Sequence, residues 1–103
     1  MILERAGYRV ILAASAEEAE QAHLQFAGSI ALLITDVVLP GSSGPDLYKR
    51  LAIRDRGMKV LYMSGYTDDA VFRTGRLEQG AAFVQKPFTA LELQRKIRET
   101  LET

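Results

Sequence analysis

The apolar positions fall into short blocks with two different periods. Residues 8–13 (YRVILA), 31–37 (ALLITDV), 59–63 (KVLYM) and 81–85 (AAFVQ) are brief runs rich in Val, Ile, Leu and aromatic side chains. Runs of this length predict strands, and the lack of alternation in ALLITDV predicts a strand covered on both faces. Between these blocks the spacing changes to three and four. Ala16, Ala19, Ala22, His23 and Phe26 share one side of a helix that Ser15 caps, with Glu18 completing a capping box and Gly28 as its stop. Leu47 and Leu51 mark a second helix, entered through Ser43, Pro45 and Asp46 and ended by Gly57. Thr67, with Asp68 and Asp69 behind it, caps a third; Val71 and Phe72 begin its apolar side and Gly75 weakens it. Thr89 and Glu92 form another capping box ahead of Leu93, Ile97 and Leu101. The opening residues 1–7 read as the end of a helix with a glycine stop. Short buried strands alternating with helices predict right-handed βαβ units and a parallel sheet. Four strands are visible, and a helix leading straight into such a unit predicts a missing element upstream.

Composition removes whole classes of function. The 103 residues suit one domain, and 48% apolar with 25% charged residues is the balance of an ordinary globule. No run approaches the length of a membrane-spanning helix. Cysteine is absent, which excludes disulfides, thiolate catalysis and cysteine-held metals. His23 is the single histidine and cannot build a histidine-rich zinc site. Thirteen basic residues balance thirteen acidic ones, against direct nucleic-acid contact. Nothing marks the chain for export, so the cytoplasm is the default location.

The chemistry concentrates where a parallel sheet collects ligands, at the carboxyl ends of its strands. Asp36 ends the most apolar block, Ser64 the next, and Lys86 the last. Taken singly, each has a plain reading: a loop-capping acid, a turn serine, an exposed ammonium. Together they bring a carboxylate, a hydroxyl and an ammonium onto three strand ends. That set suits a carboxylate that accepts a phosphoryl group, with Asp36 as oxygen nucleophile. Lys86 would pair with the carboxylate before transfer and with a phosphoryl oxygen after it, while Ser64 donates to another. Such a step brings two negative groups together and ordinarily uses a divalent metal. No second carboxylate stands at a strand end, since Glu4 lies in the opening helix, Asp46 in the second helix, and Asp68 and Asp69 at a helix cap.

In ITDVVLPGSSG, YMSGY and FVQKPF these residues resemble the receiver domain of two-component response regulators, and the likeness runs over residues 1–103. The resemblance implies a CheY-like, flavodoxin-like α/β/α sandwich with strand order 2-1-3-4-5. It implies that Asp36 is the phosphoacceptor, Ser64 the switch hydroxyl and Lys86 the paired lysine. It implies a cis bond between Lys86 and Pro87, which proline makes affordable. Phe83 matches the switch aromatic, although a core role is an equal reading for it. Asp36 and the carbonyl of Val38 match two ligands of a Mg²⁺ ion. The implied partners are a histidine kinase or phosphotransfer protein, and SGYTDD is most similar to receivers attached to hybrid sensor kinases. The implied output face spans residues 67–77, Phe83 and residues 89–101, and homodimers through that face or through exposed strands are a further expectation. No direct nucleic-acid contact and no membrane insertion is expected. Such a module is not an enzyme beyond its own phosphorylation and dephosphorylation.

The departure from the family is at the start. Its first strand and the acidic pair that ends it, which supply the remaining Mg²⁺ ligands, are missing from these residues. The domain therefore reads as incomplete at its N-terminus, with the lost strand belonging between residues 8–13 and 31–37. Direct pairing of those two segments, or exchange with a second chain, would compensate. A phosphate-independent interaction module or inactive fragment is the alternative function. A flavodoxin-like cofactor carrier is a more distant one, since the GSSG at 41–44 lacks the lysine and spacing of a phosphate-binding loop.

Overall fold

A computed structural model describes residues 2–26, 28–65 and 82–102. The elements in chain order are α1 (Ile2–Arg5), α2 (Ala16–Gln25), β1 (Leu32–Asp36), the short β2 (Val38–Leu39) and β3 (Ser42–Ser43), α3 (Gly44–Ala52), β4 (Lys59–Ser64), β5 (Phe83–Gln85) and α4 (Ala90–Glu102). The sheet runs β1-β4-β5, all parallel. The expected third helix, from Thr67 through Gly75, lies outside the described residues.

Helix starts follow the capping chemistry. Ser15, Ser43 and Thr89 each accept the backbone N–H three residues on, at 3.1 Å. These bonds satisfy amides that a helix start otherwise leaves unpaired. Glu18 reaches back to the Ala14 N–H rather than to that of Ser15. The ends come earlier than Gly28 and Gly57 suggest, with Phe26 and Ile53 as the capping residues. Gly7 does stop α1, at φ 95, where only glycine sits without strain. Ser43→Ala should lower stability by about 1 kcal/mol, read as a shift of the urea midpoint at unchanged slope.

The sheet is covered on both faces. Leu33 packs with Ala16, Leu47, Leu51 and Met58, the core shared by α2 and α3. Side chains alternate across a strand, so Leu32 and its pairing partner Lys59 face the other way. There Lys59 Nζ donates to the carbonyl of Leu101, fastening α4 to β4. Leu61 is 0% exposed and Ile97 is fully buried. The uninterrupted apolar run of β4 follows from this double cover.

Residues 8–13 are the main correction to the expected fold. They form no strand, and three parallel strands are found among the described residues where four were expected. Nor do they pair directly with β1. An apolar cavity of about 600 Å³ separates the two segments, with residues 8–12 on one side and Leu32, Leu33 and Ile34 on the other. A strand exists only by its ladder, and among the described residues none pairs with residues 8–13. They are held instead by the Tyr8 N–H to the Leu3 carbonyl (3.1 Å) and by Arg9 over the Phe26 ring (5.2 Å). The antiparallel β2–β3 hairpin is the other unexpected element.

His23 has a structural place. Its Nε2 lies 3.3 Å from Asp55 Oδ2, and the same oxygen accepts the Ile30 N–H at 2.8 Å. Both side chains are buried, so the cluster ties the end of α2, the approach to β1 and the turn after α3 together. Asp55→Ala strands the Ile30 amide and should cost about 1–3 kcal/mol. Chemical denaturation checks this, and an unchanged midpoint would contradict the role.

Candidate functional site

The parallel register carries the three strand-end residues to one edge. Asp36 stands opposite Met63, and Ser64 opposite Gln85. Two bonds continue the ladder past the strand ends: the Val37 N–H donates to the Met63 carbonyl at 3.1 Å, and the Lys86 N–H to the Ser64 carbonyl at 2.7 Å. The second bond ties the lysine's backbone to the end of β4. From there Lys86 Nζ reaches across β4 and donates to Asp36 Oδ1 at 2.5 Å. The Lys86–Pro87 peptide bond is cis.

Burial divides the group. The Asp36 and Lys86 side chains are 40% and 47% exposed. An ion pair that open contributes little to stability, so its consequence is orientation: one carboxylate oxygen is fixed and the group stays accessible from solvent. Ser64 is buried at 6% exposure, which does not suit a loose turn serine. Phe83 begins β5 half-buried and packs, as Val60 does, against the cluster of Val37 and Tyr62. Val38 is 59% exposed at the start of the hairpin. The expected output residues 67–77 lie outside the described residues.

Gly44 is the site residue that sequence reasoning missed. Its N–H donates to the Val37 carbonyl at 2.8 Å. A Cβ there would overlap the carbonyl oxygen of Asp36 and come 3.0 Å from Thr35 Cγ2. The missing side chain lets the start of α3 abut the backbone that carries the carboxylate. GSSG reads as a turn, and only the choice of glycine in the first turn of a helix hinted at a close approach. Gly41, at φ 68, makes the hairpin turn before it.

Among the described residues the group by itself does not complete a Mg²⁺ site. The ion demands near-octahedral oxygen ligands. Among the described residues no three His, Cys, Asp or Glu side chains cluster to hold a metal, and Asp36 already has Lys86 on Oδ1. What the group can do is present an anchored, accessible carboxylate beside a cation, with a buried hydroxyl on the adjoining strand. Among the described residues no helix is long and apolar enough to cross a membrane.

A family model described as "Response regulator receiver domain" matches residues 1–98. The sensor kinase CckA of Brucella abortus is 33% identical over 100 residues, which is 97% of this chain and 11% of CckA. The response regulator receiver protein CpdR of the same organism is 30% identical, covering 96% of this chain and 81% of CpdR. A CheY-like receiver domain protein from Methanospirillum hungatei superposes with a TM-score of 0.76 at 32% identity, over 98% of this chain and 79% of that one. A receiver protein from Sinorhizobium medicae gives 0.81 at 20% identity, over 99% and 81%, a likeness of fold. The chain thus spans about a tenth of CckA but most of the single receivers.

Proposed function

Because the chain belongs to the response regulator receiver family, we propose that Asp36 is its phosphoacceptor, taking a phosphoryl group from a phosphohistidine of a kinase or phosphotransfer protein. Receivers are signalling modules of two-component systems rather than classical enzymes, and the α/β sandwich here is theirs. The observation that carries the reading is the solvent-open Asp36 carboxylate held by Lys86 where parallel strands end.

In the transfer an Asp36 carboxylate oxygen attacks phosphorus, the P–N bond to imidazole breaks, and the leaving nitrogen takes a proton from water. Lys86 moves from the carboxylate to a phosphoryl oxygen. Ser64 donates its hydroxyl to another, which draws the end of β4 toward the new charge. The exposure of Asp36 matters because the donor is itself a folded protein and needs a direct approach.

Receivers generally use Mg²⁺, and the described residues do not supply a set for it. That observation favours a second reading, an interaction module that works without phosphate. Incubation with a phosphorylated phosphotransfer protein, followed by intact mass and peptide mapping, separates the two. A hydroxylamine-labile phosphoryl group on Asp36 supports the first. An unmodified chain that still binds the partner supports the second.

A further inference from the structure

The backbone that carries the Asp36 carboxylate is held at three points. The Val37 N–H donates to the Met63 carbonyl at 3.1 Å, and the Val37 carbonyl accepts the Gly44 N–H at 2.8 Å. The Asp36 carbonyl accepts from Thr35 Oγ1 at 3.1 Å. The peptide group between Asp36 and Val37 is therefore fixed at both ends, its N–H by the neighbouring strand and its C=O by a side chain. Of these three partners Thr35 alone acts through a side chain. It is 6% exposed, where a hydroxyl needs a partner and a valine would fill the volume without needing one. The two branches of Thr35 have different neighbours. Oγ1 is on the Asp36 carbonyl, while Cγ2 faces the start of α3, 3.0 Å from the place a Cβ on Gly44 would take. A side chain branched at Cβ is stiff at χ1, so the packed methyl also holds the hydroxyl in place.

We propose that Thr35 is a positioning residue for phosphoryl transfer, its hydroxyl pinning the Asp36–Val37 peptide group and so setting the direction in which the Asp36 carboxylate leaves the strand. The inference rests on Asp36 as the acceptor. Successive side chains of β1 point to opposite faces, so Thr35 acts through the main chain and not on the carboxylate itself. Attack on phosphorus needs the carboxylate oxygen within a narrow range of distance and line. Lys86 holds Oδ1 through an exposed pair, which by itself is a weak restraint. The backbone supplies the rest. Any tilt of the peptide group beyond Asp36 turns its Cα and swings the carboxylate, and the Thr35 hydroxyl opposes that tilt.

Two substitutions separate the branches. Thr35→Val removes the hydroxyl and keeps the branched shape; Thr35→Ser keeps the hydroxyl and removes the methyl. The rate of transfer from a phosphorylated phosphotransfer protein is followed against donor concentration. The ¹³Cγ resonance of Asp36 is read separately in the unphosphorylated chains, where it reports the surroundings of the carboxylate whether or not transfer occurs. Thr35→Val should lower the maximal rate roughly tenfold at an unchanged half-saturating donor concentration, and should move the Asp36 resonance. Thr35→Ser should restore most of the rate and leave the resonance near the parent's. Parent-like rate and resonance in Thr35→Val overturn the proposal. So does a serine variant as impaired as the valine one, which assigns the role to methyl packing. A raised half-saturating concentration at parental maximal rate also overturns it, in favour of donor docking. If the parent chain takes up no phosphoryl group, Asp36 loses the acceptor role and the resonance decides for Thr35 alone. A resonance moved by valine and not by serine upholds the positioning of the carboxylate, and an unmoved one overturns it.

Discussion

Asp36→Asn is expected to abolish phosphoryl incorporation while leaving the fold intact. The substitution is nearly isosteric, but an amide oxygen carries no negative charge and does not attack phosphorus as a carboxylate does. Lys86 loses its partner at an exposed position, where such a pair contributes at most about 1 kcal/mol. The urea midpoint should therefore move little while the phosphoryl mass increment disappears. Incorporation at the unsubstituted level would place the phosphate elsewhere and remove Asp36 from the acceptor role. Loss of incorporation together with loss of cooperative unfolding would point to a structural acid instead.

Gly44→Ala is expected to be the most damaging of the single-methyl changes. The added carbon overlaps the Asp36 carbonyl oxygen and crowds Thr35 Cγ2. Neither neighbour can yield easily, because one is strand backbone and the other belongs to a buried residue. Overpacking of this kind costs about 1–3 kcal/mol and sometimes more, and the upper end is expected where backbone must move. Relief requires a shift of α3 or of the end of β1, and either moves the carboxylate from Lys86. Stability and phosphoryl transfer should fall together. Gly57→Ala is the matched control, since a Cβ there meets nothing within 4 Å. Its midpoint should stay within about 1 kcal/mol of the parent's. Equal effects at the two glycines would refute the close-approach argument.

The two glycines also show where reading the chain stops. Gly44 opens α3 and Gly57 lies in the turn beyond its end, and both stand in turn-like sequence that predicts a helix boundary. The difference is what lies across from each, namely the Asp36 backbone or open space. Ser64 is a similar case. Its position after an apolar block predicts a strand end, but its burial depends on how closely neighbouring elements pack. His23 is legible as a helix-face residue, whereas its partner Asp55 is 32 positions away and no periodicity links them.

Local chemistry was enough for the helix starts at Ser15, Ser43 and Thr89, since a cap is made within three residues. It was enough for the apolar core of β1 and β4, because double burial leaves its mark on every position of a strand. It was enough to put Asp36, Ser64 and Lys86 on one edge, because parallel strands carry their carboxyl ends together. Residues 8–13 have the same β-rich composition and still form no strand. Pairing belongs to two segments at once, and only the tertiary structure shows a cavity between residues 8–12 and β1. The approach of Gly44 to Asp36 was decided at the same level, by the distance between two backbones that composition does not encode.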